Sequence, residues 1–377
     1  MDITRKEFFG TLAAGAATAY LTNSRAAPAN AAPAGSSKMK LGITAYSYTY
    51  DLRARAMTLE DVVADVADMG GEGVEILGEA HVPGYPNPPQ KWVEQWFAWM
   101  EKYHTKPSAY DTFVDTMFYK DRLLTVDEAV ERLVTDFKLA NRLGFKVLRQ
   151  QWPPYKADNP ADQIWAPYCK SAMAMQVMQK ALPFAEKYDV KMAVELHSPT
   201  QLKSEWIDDF LEVLNRTKTK HFGFCPDMSI FVERAPKSHL TELRREGARD
   251  NILDYINRAY EENLGAEKTV AEVVKMGGNE AEQKWGSMAG IYHFSKNDPK
   301  DMARLAPYIY HVHAKFYEMM DDLHEYSIPY ETVIPVLAAG GYSGYLSSEY
   351  EGAREDFQTS AQIRLQQVML KRLLAAV

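Results

Sequence analysis

The stretch YIYHVHAKFYE, Tyr308–Glu318, alternates with a period of two. Tyr310, Val312, Ala314 and Phe316 fall on one side, and His311, His313 and Lys315 on the other. Successive side chains of a strand point to opposite faces. One face therefore suits a packed core, while the other carries two imidazoles and an ammonium. A strand of this kind fits where its apolar side packs on helices and its polar side looks into an enclosed interior.

Three neighbouring stretches share the pattern. VKMAVELH (Val190–His197) sets Met192, Val194 and Leu196 against Ala193, Glu195 and His197. HFGFCPD (His221–Asp227) sets Phe222 and Phe224 against Gly223, Cys225 and Asp227. GYLSSEYEG (Gly344–Gly352) sets Leu346 and Tyr350 against Ser347, Glu349 and Glu351. Upstream, KLGITAYSY (Lys40–Tyr48), GVEILGE (Gly73–Glu79), KPSAYDTF and FKVLRQQW (Phe145–Trp152) read as four more strands. Helix-period segments lie between them, among them LEDVVADVADMG and VDEAVERLVTDFKLANRLG, the latter with Gly144 as its C-cap. Eight strands alternating with helices predict an α/β fold, a closed (β/α)8 barrel spanning 39–377 as a single domain. The long gap from Phe231 to Pro307 contains LRREGARDNILDYINRAYEENL, which reads as helix. It is expected to be a helical excursion over one end of the barrel between strands six and seven.

The inward polar residues cluster near the C-terminal ends of their strands, where barrel enzymes carry their active sites. Glu195, Asp227 and Glu349 would converge, with Glu351 close by. Three or four carboxylates in a partly dry site cannot all stay ionised without a cation. One divalent metal, held by Glu195, Asp227, His313 and Glu349, resolves the conflict. Oxygen ligands plus one imidazole suit Mn²⁺ first, with Mg²⁺, Co²⁺ or Zn²⁺ as alternatives. His311 would lie deeper, behind the ligand or simply packed, and Glu75 in GVEIL would be a carboxylate bonded within the barrel. Lys315 would face the substrate. Tyr46, Asp111, Arg149, Trp152 and Glu351, near strand ends, could hydrogen-bond a bound ligand or stack on a ring, as could Tyr48 and Gln151.

The chain has 377 residues, 46% of them hydrophobic and 25% charged, and a formal net charge of −8. That composition is ordinary for a globular protein and lacks the basic face that nucleic-acid binding needs. Its two cysteines, Cys169 and Cys225, allow neither a disulfide framework nor a thiolate zinc cluster. The first 38 residues differ in kind. Arg5 and Lys6 precede an uncharged segment, Phe8–Leu21, and an Ala/Pro/Ser-rich stretch containing Ala29-Asn30-Ala31. This is the three-part pattern of an export signal and linker, too short to span a membrane. TRKEFF is similar to a twin-arginine signal with Lys6 in the second arginine place. Export, most simply to a periplasm, is the expectation. No other stretch reads as a membrane span, and the sequence leaves room for a homo-oligomer.

AVELHSP, FCPD, HVHAKFYE and YLSSEYEG together resemble the xylose-isomerase-like TIM barrel superfamily of sugar isomerases and epimerases related to endonuclease IV. The resemblance runs from about Lys40 to the C-terminus. In its last part, including YSIPYETVIPVLAAGGYSGYLSSEYEG, it also extends to α subunits of C-glycoside deglycosidases and related enzymes acting on 3-keto glycosides. It implies the Glu, Asp, His, Glu metal quartet at Glu195, Asp227, His313 and Glu349. One departure stands out. Relatives in that superfamily commonly place a histidine three residues after the metal-binding Asp, and here that position is Ile230. A three-metal phosphodiesterase site is thus short of a ligand.

The expected activity is that of a metal-dependent sugar isomerase or epimerase, or a β-eliminating lyase on 3-keto glycosides. A base removes the proton beside a sugar carbonyl to give an ene-diolate. His197, Lys315, Glu195 and Glu349 are the candidates for handling protons. The expected partner is a small sugar or glycoside. The competing readings are a non-catalytic exported sugar-binding barrel and an endonuclease IV-like nuclease. Net acidity, the export pattern and Ile230 oppose the nuclease.

Overall fold

Each greasy strand face finds the helix layer that its period demands. The strands are β1 (Lys40–Thr44), β2 (Gly73–Leu77), β3 (Lys106–Phe113), β4 (Val147–Gln151), β5 (Lys191–Leu196), β6 (Phe222–Pro226), β7 (Val312–Phe316) and β8 (Tyr345–Tyr350). They pair in the order β6-β5-β4-β3-β2-β1-β8-β7, and the sheet pairings are parallel. The seam between β6 and β7 closes through the bridges Phe224–Ile309 and Asp227–His313. There the Tyr310 N–H donates to the Phe224 carbonyl at 3.0 Å. The result is a nearly closed (β/α)8 barrel. This structure, a computed structural model, describes residues 38–114, 122, 124–151, 172–198, 200–262, 264–288 and 296–377. The export segment expected over 1–38, except Lys38, lies outside the described residues, as do Trp152 and Cys169.

The outer helices are α1 (Leu59–Asp68), α2 (Gln90–Tyr103), α3 (Val126–Arg142), α4 (Ala172–Tyr188), α5 (Glu205–Thr217), α10 (Tyr330–Ala339) and α11 (Thr359–Leu374). Between β6 and β7 run α6 (Lys237–Arg245), α7 (Asp250–Glu261), α8 (Ala266–Lys275) and α9 (Glu280–Met288). Local chemistry sets the helix ends. Thr58 and Asp61 form a capping box that starts α1, and Thr125 and Glu128 form one that starts α3. Gly144 ends α3 with a left-handed φ of +85°. Met192, Val194, Leu196, Phe222, Phe224, Val312, Ala314 and Phe316 are all buried against this layer. Each large one contributes roughly 1.5–3 kcal/mol through removal from water.

Two glycines shape the interior. A Cβ on Gly73 would lie 2.6 Å from the Tyr345 ring and 2.8 Å from Ser108 Cβ, so its absence admits the ring. A Cβ on Gly223 would collide with the Tyr308 carbonyl, so glycine lets the seam close.

Three stretches differ from the sequence expectation. The first strand ends at Thr44, and Ala45–Tyr48 forms a 3₁₀ turn. The Thr44 side chain accepts the Tyr46 N–H at 3.2 Å, an ST-type bond that competes with the ladder. The alternation of AYSY mimics a strand but belongs to this turn. Likewise β7 begins at Val312, after a 3₁₀ turn over Ala306–Tyr308. Finally, the helix expected over LRREGARDNILDYINRAYEENL is split into α6 and α7. Gly247 takes φ +91° between them, which a continuing helix cannot accommodate.

Candidate metal centre and active site

Glu195 of β5, His313 of β7 and Glu349 of β8 point inward at the C-terminal end, and Asp227 sits one residue past β6. One ligand atom from each lies within 4.8 Å of the others, and all four residues are buried. His313 Nδ1 is 2.7 Å from Glu195 Oε1, 3.0 Å from Glu349 Oε2 and 3.7 Å from Asp227 Oδ2. A single nitrogen carries at most one proton and cannot serve three oxygens. Asp227 Oδ1 accepts the Ser229 N–H at 2.7 Å. No well-formed hydrogen bond reaches Asp227 Oδ2, Glu195 Oε2 or Glu349 Oε2, although all three atoms are buried. Unsatisfied buried carboxylate oxygens are costly. These oxygens and one imidazole nitrogen form a donor set that fits a divalent cation.

The ionisation states agree. Burial pushes the Asp227 carboxyl up, but Lys315, His197 and His313 outweigh it and hold it well below the usual range. Burial likewise raises Glu195, and Arg149 and His313 bring it below its ordinary value. Burial opposes a charge on His313, yet the surrounding acids overcome this and raise its pKa well above the ordinary imidazole value. The pocket thus favours positive charge at that nitrogen. Cys225 faces the same space, and burial pushes its thiol up to about 12, so it stays neutral.

Lys315 reaches the mouth beside this set. Its Nζ is 2.7 Å from Glu351 Oε2, 3.3 Å from Asp227 Oδ2 and 3.4 Å from Glu349 Oε2. Burial disfavours its charge, but these three carboxylates outweigh burial and hold its pKa well above that of an ordinary lysine. It is an ammonium. Burial raises Glu351 too, and Lys315, Arg354 and His197 bring it down to about 2. His197 directly follows β5, half-buried among Glu195, Asp227 and Glu351. Its Nδ1 donates to the Ser198 carbonyl at 2.7 Å, since a carbonyl oxygen only accepts.

The remaining expected contacts divide by depth. Tyr46 stands at the rim, where Glu351 and burial raise its hydroxyl pKa. Asp111 and Arg149 sit deep instead. Both are buried, with Arg149 Nε 3.1 Å from Asp111 Oδ1 and 3.9 Å from Glu195 Oε1. They brace the ligand set from behind. Burial raises the Asp111 pKa well above the carboxylate range despite Arg149. Ile230 is buried and offers no ligand.

The sequence reading missed three residues at the mouth. Arg354, in the loop after β8, has its guanidinium 5.0 Å from the Tyr46 ring and 5.5 Å from the Tyr50 ring. His239 of α6 hydrogen-bonds the backbone of Glu351 and lies 5.1 Å from the Tyr317 ring. Trp285 of α9 packs edge-on to His239 at 6.4 Å. The excursion therefore reaches the C-terminal end of the strands. Only the placement of Arg354 just past a catalytic strand end could have flagged any of them.

A family model described as xylose isomerase-like TIM barrel matches residues 63–372. The chain belongs to this family. Among curated proteins, the xylose isomerase-like chain is 28% identical over 327 residues to a 3'-dehydrocarminate deglycosidase alpha subunit from Microbacterium sp, covering 83% of this chain and 88% of that one. It is also 28% identical over 336 residues to a C-glycoside deglycosidase alpha subunit from Arthrobacter globiformis, covering 84% and 86%. The solved structure of the IOLI protein with a bound zinc atom superposes with a TM-score of 0.55 at 12% identity, covering 90% of this chain and 99% of that one. At that identity the likeness concerns the fold alone. Among the described residues, no helix is long and apolar enough to cross a membrane.

Proposed function

We propose that this barrel is a sugar-acting enzyme that removes the proton beside a sugar carbonyl, and that it eliminates the aglycone from a 3-keto glycoside. The observation that carries this reading is His313 Nδ1 facing three buried carboxylates, each with one oxygen short of a well-formed hydrogen bond, with His197 and Lys315 alongside. Glu195, Asp227, His313 and Glu349 would hold one divalent cation. When bound, the cation supplies Lewis-acid polarisation of the sugar oxygens. Elimination is favoured over isomerisation because two relatives are named deglycosidases, one of them for a 3'-dehydro glycoside.

In such a substrate the ketone at C3 acidifies the C2–H, and the aglycone sits on C1, one carbon further. His197 Nε2 takes the C2 proton. The C1–aglycone bond breaks with its electron pair leaving on the aglycone, and a C1=C2 double bond forms. The Lys315 ammonium donates a proton to the departing atom, and the three carboxylates around it favour this donor role over that of a base. Glu351 fixes Lys315 in place. Positioned acid–base groups of this kind contribute roughly 10²–10⁴-fold each.

Turnover of a 3-keto glycoside in deuterated water, read by NMR, tests the reaction. Elimination releases the aglycone together with an unsaturated or hydrated keto sugar. Isomerisation or epimerisation would instead leave the aglycone attached, with deuterium at the abstracted carbon. A product that takes its glycosidic oxygen from water while keeping every carbon-bound hydrogen would overturn the mechanism.

We also assign the activity to a compartment outside the cytoplasm, on the strength of Arg5, Lys6, Phe8–Leu21 and Ala29-Asn30-Ala31. N-terminal sequencing of mature protein lacking about the first 31 residues would support this. An intact Met1 in cytosolic material would refute it.

A further inference from the structure

His313 can ligate through Nδ1 only if its proton sits on Nε2, and the residue behind it decides that. Glu75 of β2 is buried on the far side of the ring. Its Oε1 is 2.7 Å from His313 Nε2, and its Oε2 is 2.7 Å from His311 Nε2. The two imidazole rings lie 5.6 Å apart and nearly perpendicular, at 89°. A carboxylate has no proton to give, so both contacts require N–H on the histidine Nε2 atoms. Glu75 thereby receives a donor on each oxygen. By the same rule the 2.7 Å contact to Glu195 Oε1 calls for N–H on Nδ1 as well, so the ring carries both protons, and Glu75 keeps the Nε2 proton in place when the Nδ1 proton gives way to a cation.

We propose that Glu75 is the positioning residue of the metal centre, fixing His313 in the Nε2–H tautomer and in its ring orientation, and that His311 holds Glu75 for this task through its second oxygen. This rests on the reading that Glu195, Asp227, His313 and Glu349 hold a divalent cation. The three residues lie in one continuous line. His311 donates to Oε2, Glu75 reaches from β2 to both histidines, and His313 presents Nδ1. A carboxylate behind a ligating imidazole also raises its donor strength, and losing such a partner typically weakens metal binding by about 10–100-fold.

Glutamine at position 75 is the discriminating substitution. Its amide can accept from one imidazole but must offer N–H to the other, so it cannot lock both rings in the Nε2–H form. Full-length wild type and variants are titrated with Co²⁺, and the affinity and the visible d–d spectrum are recorded. Long-range ¹⁵N–¹H spectra of histidine-labelled, metal-free protein at alkaline pH report which nitrogen of His313 carries the proton. Glu75→Gln should bind Co²⁺ about 10–100-fold more weakly and shift the d–d band. His311→Phe, which removes the donor, should lose affinity severalfold. His311→Gln, whose amide N–H can still reach Glu75, should recover most of it.

Unchanged Co²⁺ affinity and spectrum in Glu75→Gln would overturn the proposal, as would wild-type His313 in the Nδ1–H form. If a variant merely loses thermal stability while its Co²⁺ spectrum stays that of wild type, Glu75 is structural and the proposal falls. Wild type that takes up no Co²⁺ at all would overturn the metal reading itself. The tautomer measurement would then still decide whether Glu75 orients His313.

Discussion

Glu282 in the helical excursion and the Glu195–Asp227–Glu349 set at the barrel mouth are all buried acids, and their surroundings are opposite. Glu282 is surrounded by donors. Its Oε1 accepts the Arg249 backbone N–H at 2.7 Å and Arg249 Nε at 3.1 Å. Its Oε2 accepts the Asn279 N–H at 2.7 Å and Arg249 Nη2 at 2.9 Å. Asp136 of α3 is a second case, taking the hydroxyls of Tyr85, Tyr110 and Thr112 at 2.8, 3.0 and 2.7 Å. At the mouth, three acids converge on one imidazole nitrogen and one ammonium, and each keeps one oxygen without a well-formed hydrogen bond. Donor-saturated carboxylates hold the fold together. The converging carboxylates share one imidazole nitrogen and one ammonium, and a bound cation would complete their partners. Burial alone does not separate the two sets; the convergence of several acids on one imidazole nitrogen does.

The largest effect should follow from altering the mouth. Asp227→Asn keeps the Oδ1 acceptor for Ser229 but removes a charge from the donor set. Metal content, measured by elemental analysis, should fall to near background. Turnover should drop by roughly 10³-fold or more, a barrier change of about 4 kcal/mol. Thermal stability of the metal-free protein should fall at pH 7, because Lys315, His197 and His313 hold the Asp227 carboxyl below the usual range and so favour its charge in the folded state. Stoichiometric metal in this variant would remove the functional half of the contrast.

Lys315→Met should give an intermediate effect with the opposite sign on metal. Removing an ammonium 3.3 and 3.4 Å from Asp227 and Glu349 relieves repulsion against a second cation. Metal affinity should hold or tighten while turnover falls by about 10²–10⁴-fold. Parallel loss of metal and turnover would show instead that Lys315 organises the ligands rather than donating a proton.

How far the sequence could reveal this contrast follows from what its period encodes. Period-two alternation placed Glu195, Asp227, His313 and Glu349 on one wall, because parity and strand end are both one-dimensional quantities. The same logic overextended the first strand, since AYSY alternates yet turns at Thr44. Donor counts are three-dimensional. The Glu75 bond to His313 joins residues 238 apart in sequence, and nothing local predicts it. Asp111 and Arg149 read as sugar contacts from strand position, which gives no depth; both are buried, as the Glu195, Asp227, His313 and Glu349 set is. The split of α6 from α7 was legible in Gly247 but was masked by the surrounding helix period. The reach of His239 and Trp285 to the mouth depends on how four helices pack, which no pattern in the chain states.

The smallest effect should come from the donor-saturated side. Glu282 is sealed by its partners although it lies near the protein surface. Hydrogen bonds from Arg249, with its charge and backbone N–H, and from the Asn279 N–H lower its carboxyl to about 2 against burial. The sign follows from linkage. The unfolded carboxyl, near 4.5, binds its proton before the folded one does as pH falls. Between these values the unfolded state holds more protons, so stability rises with pH there. The contribution of Glu282 is complete above about pH 4.5 and is lost as pH falls toward 2. Glu282→Gln should therefore cost about 1–3 kcal/mol at pH 7, the usual loss when charged hydrogen bonds are replaced by neutral, partly unmatched ones. Denaturant titrations of wild type and variant at pH 7 and pH 3 measure it, and the gap between the two proteins should narrow at the lower pH. Activity per folded molecule should stay at wild-type level, since Glu282 supports the excursion and touches none of the ligands. A gap that widens toward acid would mean that the acid-sensitive bonds lie elsewhere. A variant that keeps full stability but loses metal would show that the excursion controls the mouth, so that convergence on one nitrogen does not divide the two kinds of buried acid.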